Sequence, residues 1–159
     1  MEFELIELVP LSGSKCTFYT IKLKTGATLL DNFITSYDDK YKQGIDEIFQ
    51  KIKSISNLGA REYLFKDHYG KPGDGVCALA DETKKKLRLM CIRFSNVVVI
   101  LGDGGPKSTR SIQSDPELDF KRKQMIKISK LITKRMLEDK ELYWSADGLK
   151  LEGNFKFEE

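Results

Sequence analysis

The chain has 159 residues, of which 40% are hydrophobic and 32% are charged, and its net charge at pH 7 is +3. These values are ordinary for a soluble globular protein of one domain with a buried core, and so small a net charge does not by itself indicate a polyanionic partner. No apolar run approaches the length that a membrane-spanning helix needs.

Targeting and metal-binding signals are weak. The first ten residues, MEFELIELVP, contain neither a cationic segment nor an apolar one, so we expect no secretory signal. The three cysteines (Cys16, Cys77 and Cys91) lie far apart in apolar segments, without a CxxC pair and with a single histidine in the chain. The sequence therefore predicts buried, reduced thiols in a cytoplasmic protein that holds no metal and no cofactor.

The first third of the chain predicts two strands and then helix. Segments Phe3–Val9 and Cys16–Lys24 alternate in polarity with a period of two, which is typical of strands. Thr28-x-x-Asp31 resembles a helix N-cap with its acidic partner. Apolar residues then recur every three or four positions, at Leu30, Ile34, Tyr37, Tyr41, Ile45, Ile48, Ile52 and Ile55. This spacing predicts one helix or a helical hairpin over residues 28–56.

The middle of the chain predicts more strands, at Tyr63–Phe65, Val76–Ala80, Arg88–Phe94 and Val97–Leu101. The last two are separated only by Ser95-Asn96, which predicts a β-hairpin, and we place this hairpin at the centre of the sheet. The element order is then β-β-α(-α)-β-β-β-β. That order is typical of an α+β fold with a mainly antiparallel sheet.

The last third predicts a long basic helix over residues 115–138 and a final hairpin. Ser114-Asp115-Pro116-Glu117 carries three helix-start signals, and no acidic residue lies between Asp119 and Glu138. Asp147-Gly148 suggests the turn of the hairpin. We expect a single domain, residues 1–159, with a core over about 1–112 and an extension over 113–159.

Two cationic features are candidates for binding anions. Four lysines fall on one face of the long helix, at Lys123, Lys127, Lys130 and Lys134. This row has two interpretations, a solvated outer face or a surface that tracks a phosphate backbone or an acidic protein. The second feature is a glycine-rich segment, residues 102–108, which we predict to be a flexible loop presenting Lys107 and Arg110. Pro106 breaks the phosphate-loop pattern, so we expect no nucleotide cofactor.

The central strands carry further candidates. An arginine such as Arg88 is costly to bury alone, so it must reach the sheet edge, a carboxylate or a phosphate. A structural ion pair is one interpretation, and a phosphate contact together with Lys86 and Arg93 is the other. His68 is the only histidine of the chain and would serve as an acid or base, unless it is simply an exposed loop residue.

Over residues 28–112 the order of elements, with the strand Arg88-Leu89-Met90-Cys91-Ile92 and a basic stretch after the last core strand, resembles the RelE/HigB group of bacterial toxins. The resemblance implies a ribosome-dependent endoribonuclease that cleaves messenger RNA through attack by a 2′-OH group. It also implies an antitoxin protein as partner, with RNA and the ribosome as targets and no membrane.

Carried over by position, the resemblance gives Arg88 the phosphate contact and gives Lys107 or Arg110 the role of the basic residue after the last core strand. Lys66 or Lys71 would match cations of the preceding segment, and His68 would be an additional acid or base. The opening strands and the segment from Tyr143 have no counterpart in the family.

Two other functions stay open. A noncatalytic binding module would use the lysine row or the segment Tyr143–Phe157 to dock a protein, and a phage-derived accessory protein would have an unrelated activity. The environment of Arg88 separates the first two hypotheses. Lys107 or Arg110 nearby in a basic cleft favours the enzyme, whereas pairing of Arg88 with an acid favours the binding module.

Overall fold

A computed structural model describes residues 1–69 and 75–158. Within these residues the chain forms three α-helices, which are α1 (Leu29–Tyr37), α2 (Lys42–Leu58) and α3 (Pro116–Lys134). It also forms nine strands: β1 (Glu2–Glu7), β2 (Thr17–Leu23), β3 (Lys66–Tyr69), β4 (Val76–Ala80), β5 (Leu87–Phe94), β6 (Val98–Pro106), β7 (Leu142–Trp144), β8 (Leu151–Gly153) and β9 (Lys156–Glu158).

Seven of the described strands form one sheet, in the order β3-β4-β5-β6-β2-β1-β9. Every neighbouring pair is antiparallel except β2 and β6, which run parallel. Strands β7 and β8 form a separate hairpin. The structure thus confirms an α+β fold with a mostly antiparallel sheet and a long helix near the C-terminal end.

Helices α1 and α2 cover one face of the sheet. Helix α1 begins after Thr28, whose Oγ1 accepts a hydrogen bond from the Asp31 N–H at 3.0 Å and so satisfies a free helix-end donor. The chain leaves the helical conformation after Tyr37 and resumes it at Lys42. Ile45, Ile48, Ile52 and Ile55 are all buried and form one stripe of α2, as their spacing predicts.

The β5–β6 hairpin separates two apolar clusters. Leu89 and Cys91 pack with the buried residues of α1 and α2, whereas Met90 and Ile92 pack with the buried residues of α3. The prediction of a hairpin with a turn at Ser95-Asn96 is confirmed, and Ser95 adopts a left-handed φ of 57° there. Alternate side chains of these strands therefore face opposite helices.

The prediction of a flexible glycine-rich loop is wrong, because β6 continues through that segment to Pro106. Two β6 residues between Leu101 and Gly104 oppose the single β5 residue between Leu89 and Cys91, which defines a bulge. The glycines of β6 allow neighbouring groups to approach this strand closely. At Gly105 a Cβ would lie 2.9 Å from the Tyr37 hydroxyl, so a larger residue would displace the end of the Tyr37 side chain.

Helix α3 covers the second face. Its N-cap is Asp115, whose carboxylate accepts a hydrogen bond from the Leu118 N–H, with Pro116 in the first turn. These are the start signals that the sequence carries. Helix α3 leads directly into a π-helical turn, Arg135–Asp139, which precedes β7.

The segment after α3 folds back onto the main sheet. The hairpin β7–β8 confirms the predicted final hairpin, whereas β9, which was not predicted, pairs with β1 at the sheet edge. Phe157 is buried and stacks on Phe3 with 4.5 Å between ring centroids. The Arg135 guanidinium packs over the Phe157 ring, with 3.7 Å between its central carbon and the ring centroid. This segment thus contributes to the same core as the first strand.

Among the helices described here, none combines the length and apolar character that crossing a bilayer requires.

Candidate functional site: a cationic pair around Asp67

Arg88 reaches across a neighbouring strand to pair with an acid. Its Nε donates to Asp67 Oδ2 at 2.6 Å, although Asp67 lies in β3 and Arg88 in β5, with β4 between them. Ala80 of β4 is the residue paired with Arg88, and its side chain is a single methyl group. Because directly paired residues point to the same face, this small side chain leaves room for the guanidinium to cross β4.

A second nitrogen of the Arg88 guanidinium, Nη1, is bound to backbone. Nη1 donates to the carbonyl oxygens of Lys85 at 2.9 Å and of Leu87 at 3.3 Å. The side chain is only 7% exposed, against 21% for Asp67. A charge this deeply buried is stable only with such partners, so these bonds fix the guanidinium close to the sheet surface.

Lys107 binds the same carboxylate from the neighbouring strand. Its Nζ lies 3.5 Å from Asp67 Oδ1, the oxygen that Arg88 does not use. Its backbone N–H donates to the Lys86 carbonyl at 2.7 Å, which continues the β5–β6 ladder one residue beyond Pro106. The structure thus brings together two of the predicted catalytic residues, Arg88 and Lys107, around an acid that the sequence did not single out.

Both alternatives that the sequence leaves open for Arg88 are present in part. Lys107 is beside it, as the enzyme hypothesis expects, and Asp67 pairs with it, as the binding-module hypothesis expects. Helices pack on both faces of the sheet, and the pair sits where β5 starts and β6 ends. Any anion would therefore approach it from the ends of the strands.

His68 and Lys66 flank Asp67 in strand β3, and both are exposed. Lys66 lines a groove beside α2 with Lys51, Tyr63 and Glu82. The other predicted residue of this segment, Lys71, lies outside the described residues.

The remaining strand and loop cations have separate surroundings. Lys86 is exposed and lines a small cavity with Tyr41 and Asp81. Arg93 lies five residues from Arg88, about 17 Å along the strand, and on the opposite face. Its Nη2 donates to Asn96 Oδ1 at 2.6 Å and its Nε to the Ala60 carbonyl, so it ties a loop to the hairpin turn. Arg110 is exposed between β6 and α3.

The four lysines of α3 form an exposed row. Lys123, Lys127, Lys130 and Lys134 are all exposed, and Lys123 pairs with Asp119 at 3.2 Å. Large exposed apolar side chains lie towards the two ends of the row, Phe120 at 70% exposure and Leu137 at 71%. At a rise of 1.5 Å per residue the row is about 16 Å long, which is long enough to meet several anionic groups of one partner.

A second titratable cluster, which the sequence did not reveal, fastens α3 to α1 and β6. Lys121 Nζ donates to the Gly104 carbonyl at 2.6 Å and lies 3.5 Å from both Asp103 and Glu117. The Tyr37 hydroxyl lies 3.4 Å from the same nitrogen. The spacing of Glu117 and Lys121, four residues apart on a helix, was the one sequence signal for this cluster.

Burial and pairing set the pKa values of this cluster. Burial raises the pKa of the Asp103 carboxyl despite the Gly104 N–H and Lys121 beside it, and burial is also the main cause of the raised pKa of Tyr37. Burial works to lower the pKa of the Lys121 ammonium, but Asp103 and Tyr37 outweigh it and the pKa is raised. Since every polar group here has a partner within the cluster, its role is to hold α1 and α3 together.

Over the described part of the chain, no group of three or more His, Cys, Asp or Glu side chains is placed to hold a metal ion. The three cysteines are free and buried. Burial raises the pKa of Cys16 and Cys77 to about 12 and raises the pKa of Cys91 well above its ordinary value, so these thiols stay protonated and unreactive at neutral pH.

Compared with known proteins, the chain matches no family model, and neither a curated protein nor a solved structure shows a significant match to it. Its function must therefore be inferred from the residues themselves.

In the group formed by Asp67, Arg88 and Lys107, Asp67 is the residue that the sequence does not identify as part of the site. It is one of 24 acidic residues, and its contact with Arg88 joins positions 21 residues apart. Only the strand order, which places β3 two strands from β5, reveals the pairing.

Proposed function

We propose that this protein is a RelE/HigB-like toxin, a ribosome-dependent endoribonuclease that cleaves messenger RNA and is neutralised by a cognate antitoxin. The observation that carries the proposal is the position of Arg88 and Lys107 around one carboxylate. The resemblance to the family assigns Arg88 to the phosphate and gives Lys107 or Arg110 the role of the basic residue after the last core strand. Of these residues, Arg88 and Lys107 both contact one carboxylate, so their side chains lie within reach of a single anionic group.

The proposed chemistry needs few groups. The 2′-OH oxygen of one nucleotide attacks the adjacent phosphorus, the bond from phosphorus to the 5′ oxygen breaks, and the products are a 2′,3′-cyclic phosphate and a 5′-hydroxyl end. Arg88 would hold the phosphate, and Lys107 would stabilise the extra negative charge of the phosphorane. In this proposal His68, exposed next to Asp67, accepts the 2′-OH proton, and the leaving 5′ oxygen takes a proton from solvent water. Arg110 approaches from the loop after Lys107.

Controlled expression in bacterial cells tests the proposal. Wild type is expected to arrest growth and cleave translated messages, and Arg88→Ala and Lys107→Ala are expected to relieve both effects. The matched controls are Arg122→Ala, which also removes an arginine paired with an aspartate at 2.7 Å, and Lys51→Ala, which removes a lysine paired with Glu82 at 2.6 Å. Folded wild-type protein with normal growth and intact messages would contradict the proposal.

A second function is favoured by the exposed row of α3. The protein would then be a noncatalytic module whose four lysines bind an acidic partner protein, with Phe120 and Leu137 as apolar contacts. Of the segment Tyr143–Phe157, Tyr143 and Trp144 are exposed, whereas Phe157 is buried in the core. Charge reversal at Lys127 and Lys130 separates the two functions, because it abolishes partner binding in the module and leaves the Arg88–Lys107 pair intact.

A further inference from the structure

The contact of Asp67 with Arg88 and Lys107 has the form of a bound anion. Two oxygens of one carboxylate face two different cations, Oδ2 at 2.6 Å from Arg88 Nε and Oδ1 at 3.5 Å from Lys107 Nζ. A phosphodiester also presents two anionic oxygens on one atom, and guanidinium and ammonium groups bind it in the same way. The carboxylate therefore occupies the place that a phosphate would take.

The backbone of Asp67 is held less firmly than that of Arg88. Asp67 belongs to β3, a four-residue strand at the edge of the sheet, where the pairing with β4 is irregular between Lys66 and Tyr69. Arg88, in contrast, lies in a strand paired on both sides, with its guanidinium bound to two backbone carbonyls. An anion that competes for this site would move Asp67 and leave the Arg88 guanidinium in place.

We propose that Asp67 is an internal competitor that occupies the anion site of the free protein and is displaced by a phosphodiester group of single-stranded RNA. This inference rests on the proposed function and deepens it, because it names the group that must leave before RNA binds. Removing the charge of Asp67 then strengthens RNA binding through this site. If Asp67 were only a structural partner of Arg88, removing its charge would lower the stability of the protein and would not raise its affinity for RNA.

The test compares binding of a 2′-O-methyl RNA nonamer, which cannot be cleaved, to wild type, Asp67→Asn and Asp46→Asn. Asp46 is exposed on α2, so its variant has the same net charge as Asp67→Asn and corrects for general electrostatics. Asp67→Asn is expected to bind about fivefold more tightly than Asp46→Asn, because the phosphodiester then no longer competes with a carboxylate for Arg88 and Lys107. Adding Lys107→Ala to Asp67→Asn is expected to remove the gain.

The outcomes separate this inference from the proposed function. Equal or weaker binding by folded Asp67→Asn overturns the inference, while cleavage of a translated message by wild type keeps the proposed function. A gain by Asp67→Asn in binding pyrophosphate, with no RNA binding by any variant, supports the competing carboxylate and contradicts RNA as the ligand. Asp67→Ser, also uncharged, replaces Asp67→Asn if the latter does not fold. Failure of both variants to fold shows that Asp67 is a structural partner and overturns the inference.

Discussion

Gly104 lies directly against the backbone carbonyl of Arg88, so that a Cβ on Gly104 would overlap with the carbonyl oxygen. The contact occurs beside the β6 bulge, one residue from the pairing of Arg88 with Gly105. The glycine content of this strand therefore sets the position of the residue at the centre of the candidate site.

Replacing this glycine is expected to destabilise the protein. Gly104→Ala forces β6 away from β5 and is expected to lower the free energy of unfolding by about 3 kcal/mol, as backbone overlap in a core does. Urea unfolding measures the effect. Gly44→Ala is the control, because its Cβ comes closest to the end of the Leu87 side chain, at 3.2 Å, and meets Asp81 only at ordinary contact distances of 3.5 and 3.6 Å. Its effect is expected to stay below about 1 kcal/mol. Equal effects of the two variants would mean that the close approach of β6 to Arg88 is absent.

The start of α3 depends on Asp115. Its carboxylate accepts hydrogen bonds from the Leu118 N–H and from the Ser108 hydroxyl, so it fastens the helix to the segment that follows Lys107. Asp115→Ala is expected to lower the free energy of unfolding by about 1 kcal/mol, the usual effect of losing an N-cap. Ser114→Ala, one residue earlier and exposed, is expected to change it by less than about 0.5 kcal/mol. The two variants are compared by thermal and urea unfolding, and an Asp115→Ala protein as stable as Ser114→Ala would refute the capping role.

The segment after α3 is expected to unfold together with the rest of the sheet. Phe157→Ala removes a buried ring that stacks on Phe3 and on the Arg135 guanidinium, so we expect a loss of about 3 kcal/mol in a single urea transition. Tyr143→Ala, whose side chain is 53% exposed, is expected to lose less than about 1 kcal/mol. A separate early transition for Phe157→Ala would show instead that residues 113–159 form an independent unit.

Stability is expected to fall in alkali because of the buried thiols. The pKa of Cys16 is about 12 in the folded protein against 9.0 for a free thiol, so the unfolded chain loses this proton first. The folded state binds more protons above pH 9, and its stability is therefore complete below pH 9 and decreases as the pH rises towards 12. Between pH 8 and pH 10 this thiol accounts for about 1.4 kcal/mol of the decrease.

The measurement is urea unfolding of wild type and Cys16→Ala at several pH values under reducing conditions. Only the pH dependence is compared, because the alanine also removes packing. The raised pKa values of Tyr37 and Lys121 also lower the free energy of unfolding in alkali. They do so equally in both proteins, so their contribution cancels when the two pH dependences are compared. Identical slopes for the two proteins above pH 9 would contradict the burial of this thiol.

Local patterns were enough to predict the helices and the central hairpin. The Thr28 cap, the isoleucine stripe of α2 and the Asp115-Pro116 start of α3 are short-range signals that depend on residues close in sequence. The alternation of Phe155 and Phe157 was a period-two signal that would have predicted β9. The glycines of β6 misled the prediction because a high glycine content is typical both of loops and of strands that another backbone approaches closely.

The candidate site was only partly predictable, because it depends on strand order. Arg88 and Lys107 were identified by their sequence positions, and the β5–β6 pairing brings them together. Asp67 reaches Arg88 and Lys107 only because β3 lies beside β4 at the edge of the sheet and because the Ala80 side chain is small. No pattern within β3 indicates which strand its acid faces.

The most direct test of the central claim is cleavage of a message by the purified protein in a reconstituted translation reaction. We expect cuts within the translated region that leave 2′,3′-cyclic phosphate and 5′-hydroxyl ends. We also expect at least about tenfold slower cleavage by folded Lys107→Ala and Arg88→Ala than by Arg122→Ala. An intact message at equimolar folded wild-type protein and ribosomes, or equal cleavage by all four proteins, would contradict the claim.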